Sequence, residues 1–171
     1  MATIYEVSKL AGVSLATVSR VMNDSDKVRP QTRKKVEAAM KKLGYRPNTI
    51  AQSLASNRSN SIGILVPELH GPFFGNMLAS IELELRNQGK HVIITAGHSD
   101  AKREKVGIEF LTSRGCDALI LFVFAISDEH IRSLWESSMP VVVIGRLIAD
   151  MEDDCISLDN ENGGYIATKA L

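Results

Sequence analysis

The apolar positions of this chain change rhythm twice. Over 3–23 (TIYEVSKLAGVSLATVSRVMN), Ile4, Val7 and Leu10 or Ala11 recur at helical spacing, Gly12 breaks the pattern, and Val13 follows as an apolar plug. Ser14 carries a hydroxyl able to accept from an orphan backbone N–H and so to open a second helix. Val18, Val21 and Met22 give that helix one apolar stripe, with Ala16, Thr17, Ser19 and Arg20 on the other side. A third amphipathic stretch starts at Pro30, where no N–H is needed, and runs to Leu43 ahead of Gly44. Val36, Ala39, Met40 and Leu43 are its inward positions, and Arg33, Lys34, Lys35, Lys41 and Lys42 its outward ones. Three such helices enclose only a thin core, as expected of a small domain.

Pro47 ends this pattern. Asn48 can cap a helix over 49–56, but two turns are unstable alone because nucleation is costly. Two readings of 47–58 stand: a mobile linker, expected in the free protein, and a hinge which folds on DNA. Ala51 and Ala55 permit close approach there, and Leu54 offers an apolar wedge for a minor-groove step. From Ser61 onward continuous apolar runs (SIGILVPEL, HVIITAG, DALILFVF, VVVIG, then 155–158) alternate with helical stretches over 74–88, 101–113, 128–137 and 160–171. Met77, Ile81 and Leu85 face inward in the first of these helices. Such alternation reads as a parallel, doubly wound α/β sheet. The expected domains are therefore 1–46, a helix-turn-helix head; 47–58, the hinge; and 59–171, an incomplete lobe.

Charge sharpens this division. Residues 1–60 carry 11 Lys/Arg against 4 Asp/Glu, or +7, whereas 61–171 carry 9 against 16, or −7, so the net charge is zero. A basic end on an acidic body implies that only the N-terminal part meets a polyanion. No apolar run is long enough to span a bilayer, and no secretory signal is visible. Cys116 and Cys155 sit in apolar surroundings without a CxxC pattern, which predicts buried free thiols and a cytoplasmic location.

The candidate chemistry follows from position. If the second helix lies in a major groove, Arg20 can pair bidentately with a guanine edge while Thr17 or Ser19 holds phosphate; the alternative is an ordinary solvated helical hairpin. In doubly wound sheets ligands bind beyond the carboxyl ends of the strands. Phe73 and Phe74 at such a corner fit either a stacking surface for a sugar or base, or the core. Arg146, just after a buried strand, fits either a polar ligand or an ion pair with Asp150, Glu152, Asp153 or Asp154. The glycines form neither GxGxxG nor a P-loop, and the acidic cluster lacks calcium-loop spacing. No nucleophile–base pair stands out, so neither cofactor, metal nor enzyme activity is expected. A binding module without a DNA role and an enzyme on an α/β sheet are the competing classes.

The segments TIYEVSKLAGVSLATVSRVMN, YRPNTIAQSLASNRSNSIGILVP, PFFG and DNENGG, in this order, resemble the LacI/GalR family of bacterial transcription repressors, and LATVSR with AQSLA resembles its galactose-type members most. The resemblance implies a lambda-repressor-like all-α head, a hinge helix and a lobe like those of periplasmic sugar-binding proteins. It implies a homodimer on a pseudo-palindromic operator, controlled by a small sugar-like effector and not by a membrane. By the same resemblance Leu15, Ala16 and Arg20 read bases, while Thr17, Ser19, Asn23 and Tyr45 contact the DNA backbone. Asn48, Ala51 and Leu54 belong to the hinge's DNA contact, with Leu54 inserting at a central CG step. Phe73, Phe74, Phe122, Gly145 and Arg146 line an effector cleft, and the helix after Phe73 takes part in dimerisation. The sequence departs from the family at Arg29, which stands where a small polar helix cap is usual and adds a possible phosphate contact. The family's body has two lobes; this sequence ends just inside the helix after Asp159, so the expectation is a truncated regulator with weak operator binding and little effector response.

Overall fold

The computed structural model describes residues 2–23, 25–46 and 58–171. Asn48, Ala51 and Leu54 lie outside the described residues. The chain divides into two compact units, Met1–Ala55 and Ser56–Leu171.

The first unit holds α1 (Ile4–Ala11), α2 (Leu15–Met22) and α3 (Pro30–Leu43). Thr3 opens α1 with a capping box: its N–H donates to Glu6 Oε2 at 2.7 Å, and its hydroxyl accepts from the Glu6 N–H at 3.3 Å. The Thr3 N–H, and then the Thr3 hydroxyl donating to the same Glu6 Oε2 at 3.0 Å, hold the Glu6 carboxyl below its ordinary value. Gly12 closes α1 in the left-handed conformation. The turn is then tied by Ser8 Oγ donating to the Val13 carbonyl at 2.8 Å. Val7, Val18, Val21, Val36 and Ala39 form the buried centre, with Val13, Met22, Met40, Leu43 and Tyr45 packed around it. The structure decides one alternative left by the sequence and corrects one expectation. Ala11, not Leu10, completes the inner face of α1, and Leu10 is exposed. Arg33 does not simply face out: it folds back so that Nη2 donates to the Ser25 carbonyl at 3.0 Å, pinning the loop after α2.

The second unit is a five-stranded parallel sheet in the order β2-β1-β3-β4-β5. Its strands are β1 (Ser61–Val66), β2 (His91–Ala96), β3 (Ala118–Leu121), β4 (Val141–Ile144) and β5 (Cys155–Ile156). The helices are α4 (Pro72–Asn87), α5 (Ala101–Ser113), α6 (Asp128–Glu136) and α7 (Asn160–Lys169). Period-two side chains divide the apolar strands between two cores. Ile64, Val66, Ile120 and Ile144 face Leu78, Met77 and Ile81 of α4. Leu65, Leu119, Leu121, Val141 and Val143 face Ile108 and Leu111 of α5 and Ile131 of α6. Burial on both sides explains why the strands read as unbroken apolar runs. Leu78, absent from the expected inner face, is the most deeply buried residue of α4.

Further details refine the sequence reading. β3 stops at Leu121, and residues 122–124 leave the ladder beyond the strand's carboxyl end. α7 runs through DNENGG without a break, with Gly163 and Gly164 inside it. Cys155 is only half buried, whereas Cys116 is buried; both are free. Burial, and then the Asp117 charge, push the Cys116 thiol above its ordinary value. Among the described residues no helix is long and apolar enough to cross a membrane.

The chain enters the sheet through a polar clasp. Asp117, preceding β3, accepts from the N–H and hydroxyl of Ser59 at 2.7 and 3.0 Å and from the Asn60 N–H at 2.9 Å. Lys90 Nζ donates to Asn60 Oδ1 at 3.1 Å and stands 3.9 Å from the carboxylate. Burial pushes the Asp117 carboxyl up, but the Ser59 and Asn60 bonds and Lys90 together outweigh it and hold the group below its ordinary 3.8. A depressed folded-state value stabilises the lobe above the unfolded value and ceases to do so as pH falls through the folded one. Acid unfolding followed by circular dichroism is therefore expected to show stability falling from about pH 4 downward. Asp117→Asn is expected to be less stable at neutral pH and to have a shallower slope in that acid range.

Candidate nucleic-acid interface and ligand cleft

The geometry of α2 follows from what its ends must satisfy. Ser14 caps it, accepting from the Thr17 N–H at 3.2 Å, and the two hydroxyls lie 2.9 Å apart. Asn23 closes it, its N–H donating to the Ser19 carbonyl at 3.0 Å. With Val18 and Val21 turned into the core, Ala16 and Arg20 are left exposed, and Leu15, Thr17 and Ser19 are half buried. Thr17 and Arg20 line an open groove of about 320 Å³, walled on its far side by Lys27, Val28, Arg29 and Thr32. Arg29 precedes α3 and makes no side-chain cap bond, so its guanidinium is not committed to the helix end. The groove gathers hydroxyls and cations, the donor set that phosphate oxygens accept from. Sequence reasoning named Arg29 as a phosphate contact but missed Lys27 and Thr32, whose only signal was charge or a hydroxyl close to the turn. Tyr45 packs against the three-helix core, and Asn23 stands exposed at the end of α2.

The second candidate lies where strand order reverses. The chain runs from β1 out to β2 and returns across β1 to β3, so the crevice opens beyond the carboxyl ends of β1 and β3. Aromatic rings gather there. Phe73 and Phe74 begin α4, with centroids 5.2 Å apart; Phe74 lies 5.4 Å and Phe73 6.1 Å from Phe122. Phe74 and Phe122 join the core, whereas Phe73 is exposed, so the two readings of this pair divide between its members. Phe124 adds a fourth, exposed ring 5.3 Å from Phe122. It was missed because DALILFVF reads as one strand.

Gly145 and Arg146 follow β4. Gly145 has φ +99°, and a Cβ there would lie 2.6 Å from Phe122 Cε2. The Arg146 guanidinium is held by Ile126, whose carbonyl accepts from Nη2 at 2.8 Å, and its Nε faces Asp128 Oδ1 at 3.4 Å. The acids at 150–154 are thus not its partners; Asp154 instead accepts from Trp135 Nε1 at 2.9 Å. The crevice presents a fixed cation beside exposed aromatic faces. That combination suits a polar ligand with an apolar flank. Among the described residues no group of three or more His, Cys, Asp and Glu could hold a metal ion.

Residues 3–48 match the family model for bacterial regulatory proteins of the lacI family, and residues 59–171 match that for periplasmic binding proteins and the sugar-binding domain of the LacI family. The chain belongs to the LacI family. It is 37% identical over its whole length to the HTH-type transcriptional regulator GalR of Escherichia coli K12, covering 50% of that protein. It is 36% identical over 99% of its length to catabolite control protein A of Staphylococcus xylosus, covering 51% of it. A crystal structure of the lac repressor dimer bound to operator and the anti-inducer ONPF superposes with TM-score 0.80 at 28% identity, over 99% of this chain and 52% of that one. The chain thus spans about half the length of the curated relatives it matches.

Two substitutions probe these sites. Ser14→Ala is expected to cost the head about 1 kcal/mol, read as a lower melting midpoint. Gly145→Ala, which places a methyl group at positive φ against Phe122, is expected to cost the lobe about 2 kcal/mol or more in a denaturant titration.

Proposed function

We propose that this LacI-family chain supplies the operator-reading head and part of the sugar-responsive body of a transcriptional repressor. The observation that supports it most directly is the exposure of Ala16 and Arg20 on a capped α2 beside a groove lined by Lys27 and Arg29. In this reading Lys and Arg of the head displace counterions from phosphates, making affinity fall steeply with salt. Arg20 pairs with a guanine, Leu15 and Ala16 supply shape and methyl contacts, and Thr17, Ser19, Asn23 and Tyr45 fix the register on the backbone. Asn48, Ala51 and Leu54 complete the contact, Leu54 as a wedge at a central step. Two copies acting as a dimer would read a pseudo-palindrome.

The crevice at Phe73, Phe74, Phe122, Gly145 and Arg146 is proposed to meet a small sugar-like effector in a protein of the relatives' length. That effector shifts DNA binding only by its differential affinity for two states of the body. A cytoplasmic regulator without enzymatic activity is the reading consistent with the regulators it resembles. The proposed domains are the head at 1–46, the hinge at 47–58 and the lobe at 59–171.

Selection of bound sequences from a random duplex pool at low ionic strength tests this proposal. The 171-residue chain is expected to enrich a palindrome with a central CG. Arg20→Ala is expected to relax one guanine per half-site, weakening binding by about 5- to 150-fold at that position. No preference among duplexes would remove the DNA-reading role and favour a binding module without it.

A further inference from the structure

Glu104 is a carboxylate in the wrong place for an ordinary surface helix. It sits on α5, is 1% exposed, and is the one polar residue among the described residues to be fully buried. Its charge is met entirely by backbone. Oε1 accepts from the Phe124 N–H at 3.0 Å, and Oε2 accepts from those of Ala125 and Ile126 at 3.0 and 2.7 Å. Among the described residues no cationic side chain forms an ion pair with it. The neighbouring backbone leaves no slack, since a Cβ on Gly97 would lie 2.5 Å from Glu104 Cγ.

The segment it holds is the rim of the crevice. Ile126 gives its N–H to Glu104 and its carbonyl to Arg146 Nη2. Asp128, two residues further on, faces Arg146 Nε. Phe124, whose N–H is also bound, carries the exposed ring beside Phe122. The Ile126 carbonyl that holds the Arg146 guanidinium and one aromatic wall therefore hang from a single carboxylate on another helix.

The geometry points to Glu104 as the positioning residue of the crevice: it fixes the 124–126 segment and, through the Ile126 carbonyl, sets the direction in which Arg146 presents its guanidinium. The meaning of that role for an effector rests on the proposed function; the mechanical link from Glu104 to Arg146 does not.

The link is tested on the isotope-labelled 171-residue chain by NMR, reading amide exchange at Phe124, Ala125 and Ile126 and the side-chain Nε–H of Arg146. Glu104→Ala is expected to speed exchange of all three amides at least about tenfold, as loss of protecting bonds requires, and to shift the Arg146 signal. Formate, which can occupy the vacated N–H groups, is expected to restore both. Glu104→Gln divides the effects. Its carbonyl oxygen can keep the Ala125 and Ile126 bonds, while its amide N–H₂ cannot accept from Phe124. Phe124 alone is then expected to lose protection, with the Arg146 signal unmoved. Glu109→Ala, an exposed change on the same helix, is expected to alter none of these signals.

The inference is overturned if Glu104→Ala frees the amides yet leaves Arg146 as in the parent chain, or if formate restores the amides without restoring Arg146. Should Glu104→Ala fail to fold, Glu104→Gln is read in the same way: loss of Ile126 protection with the Arg146 signal unmoved, or a moved Arg146 signal with Ile126 still protected, overturns it. Titration of the parent chain and of Arg146→Met with D-galactose, followed by Trp135 fluorescence, addresses the effector reading separately. Failure of that sugar to bind counts against the crevice as its site and leaves the Glu104–Arg146 result as measured.

Discussion

The packing of Val18 and Val21 against Val7, Val36 and Ala39 is the constraint on which the proposed DNA-reading face depends. A helix of eight residues has about two turns and cannot hold itself straight in water. Committing two valines to the core fixes both its existence and its rotation. The outward face proposed to meet a duplex, Ala16 and Arg20 above all, is what remains once that commitment is made. The small side chains let the helix backbone come near a groove, and the long forked one reaches past it.

The lobe obeys a different constraint with the same logic. A parallel strand buried on both faces has no side chain free for chemistry along its length, so function is displaced to where the strands end. The aromatic rings and Arg146 sit there because Phe122, Gly145 and Arg146 are the first residues past β3 and β4. Gly145 has a second reason: at positive φ and against a ring edge, nothing larger lets Phe122 lie across the floor.

Much of this was legible in the residues themselves. Caps at Ser14, Gly12 and Gly44 and the two-faced apolar runs are local signals, and local signals suffice to place α2 and the sheet's parallel character. What escaped were bonds between positions far apart in the chain. Glu104 looks like one more charge on a solvated helix until its partners 20 to 22 residues onward are known. Asp117 finds Ser59 across 58 residues. Arg146 had four acids within reach by sequence and instead faces Asp128, behind it in the chain, because α6 starts at the crevice. Periodicity reports which face a residue is on; it carries no information on which loop folds over that face. Among the proposed DNA contacts, Arg20, Thr17 or Ser19, and Leu54 were suggested by the residue pattern, whereas Leu15, Asn23 and Tyr45 came only through the family resemblance.

The Asp117 clasp has a mechanical consequence. It rivets the incoming polypeptide to the root of β3 just before that polypeptide becomes β1, a strand flanked on both sides by ladders to β2 and β3. A pull applied along the chain at Ser59 would load those two ladders lengthwise, with many bonds sharing the force at once, and would not unzip them singly from a free border. The lobe is thus built to be towed as a rigid body by its own leading end.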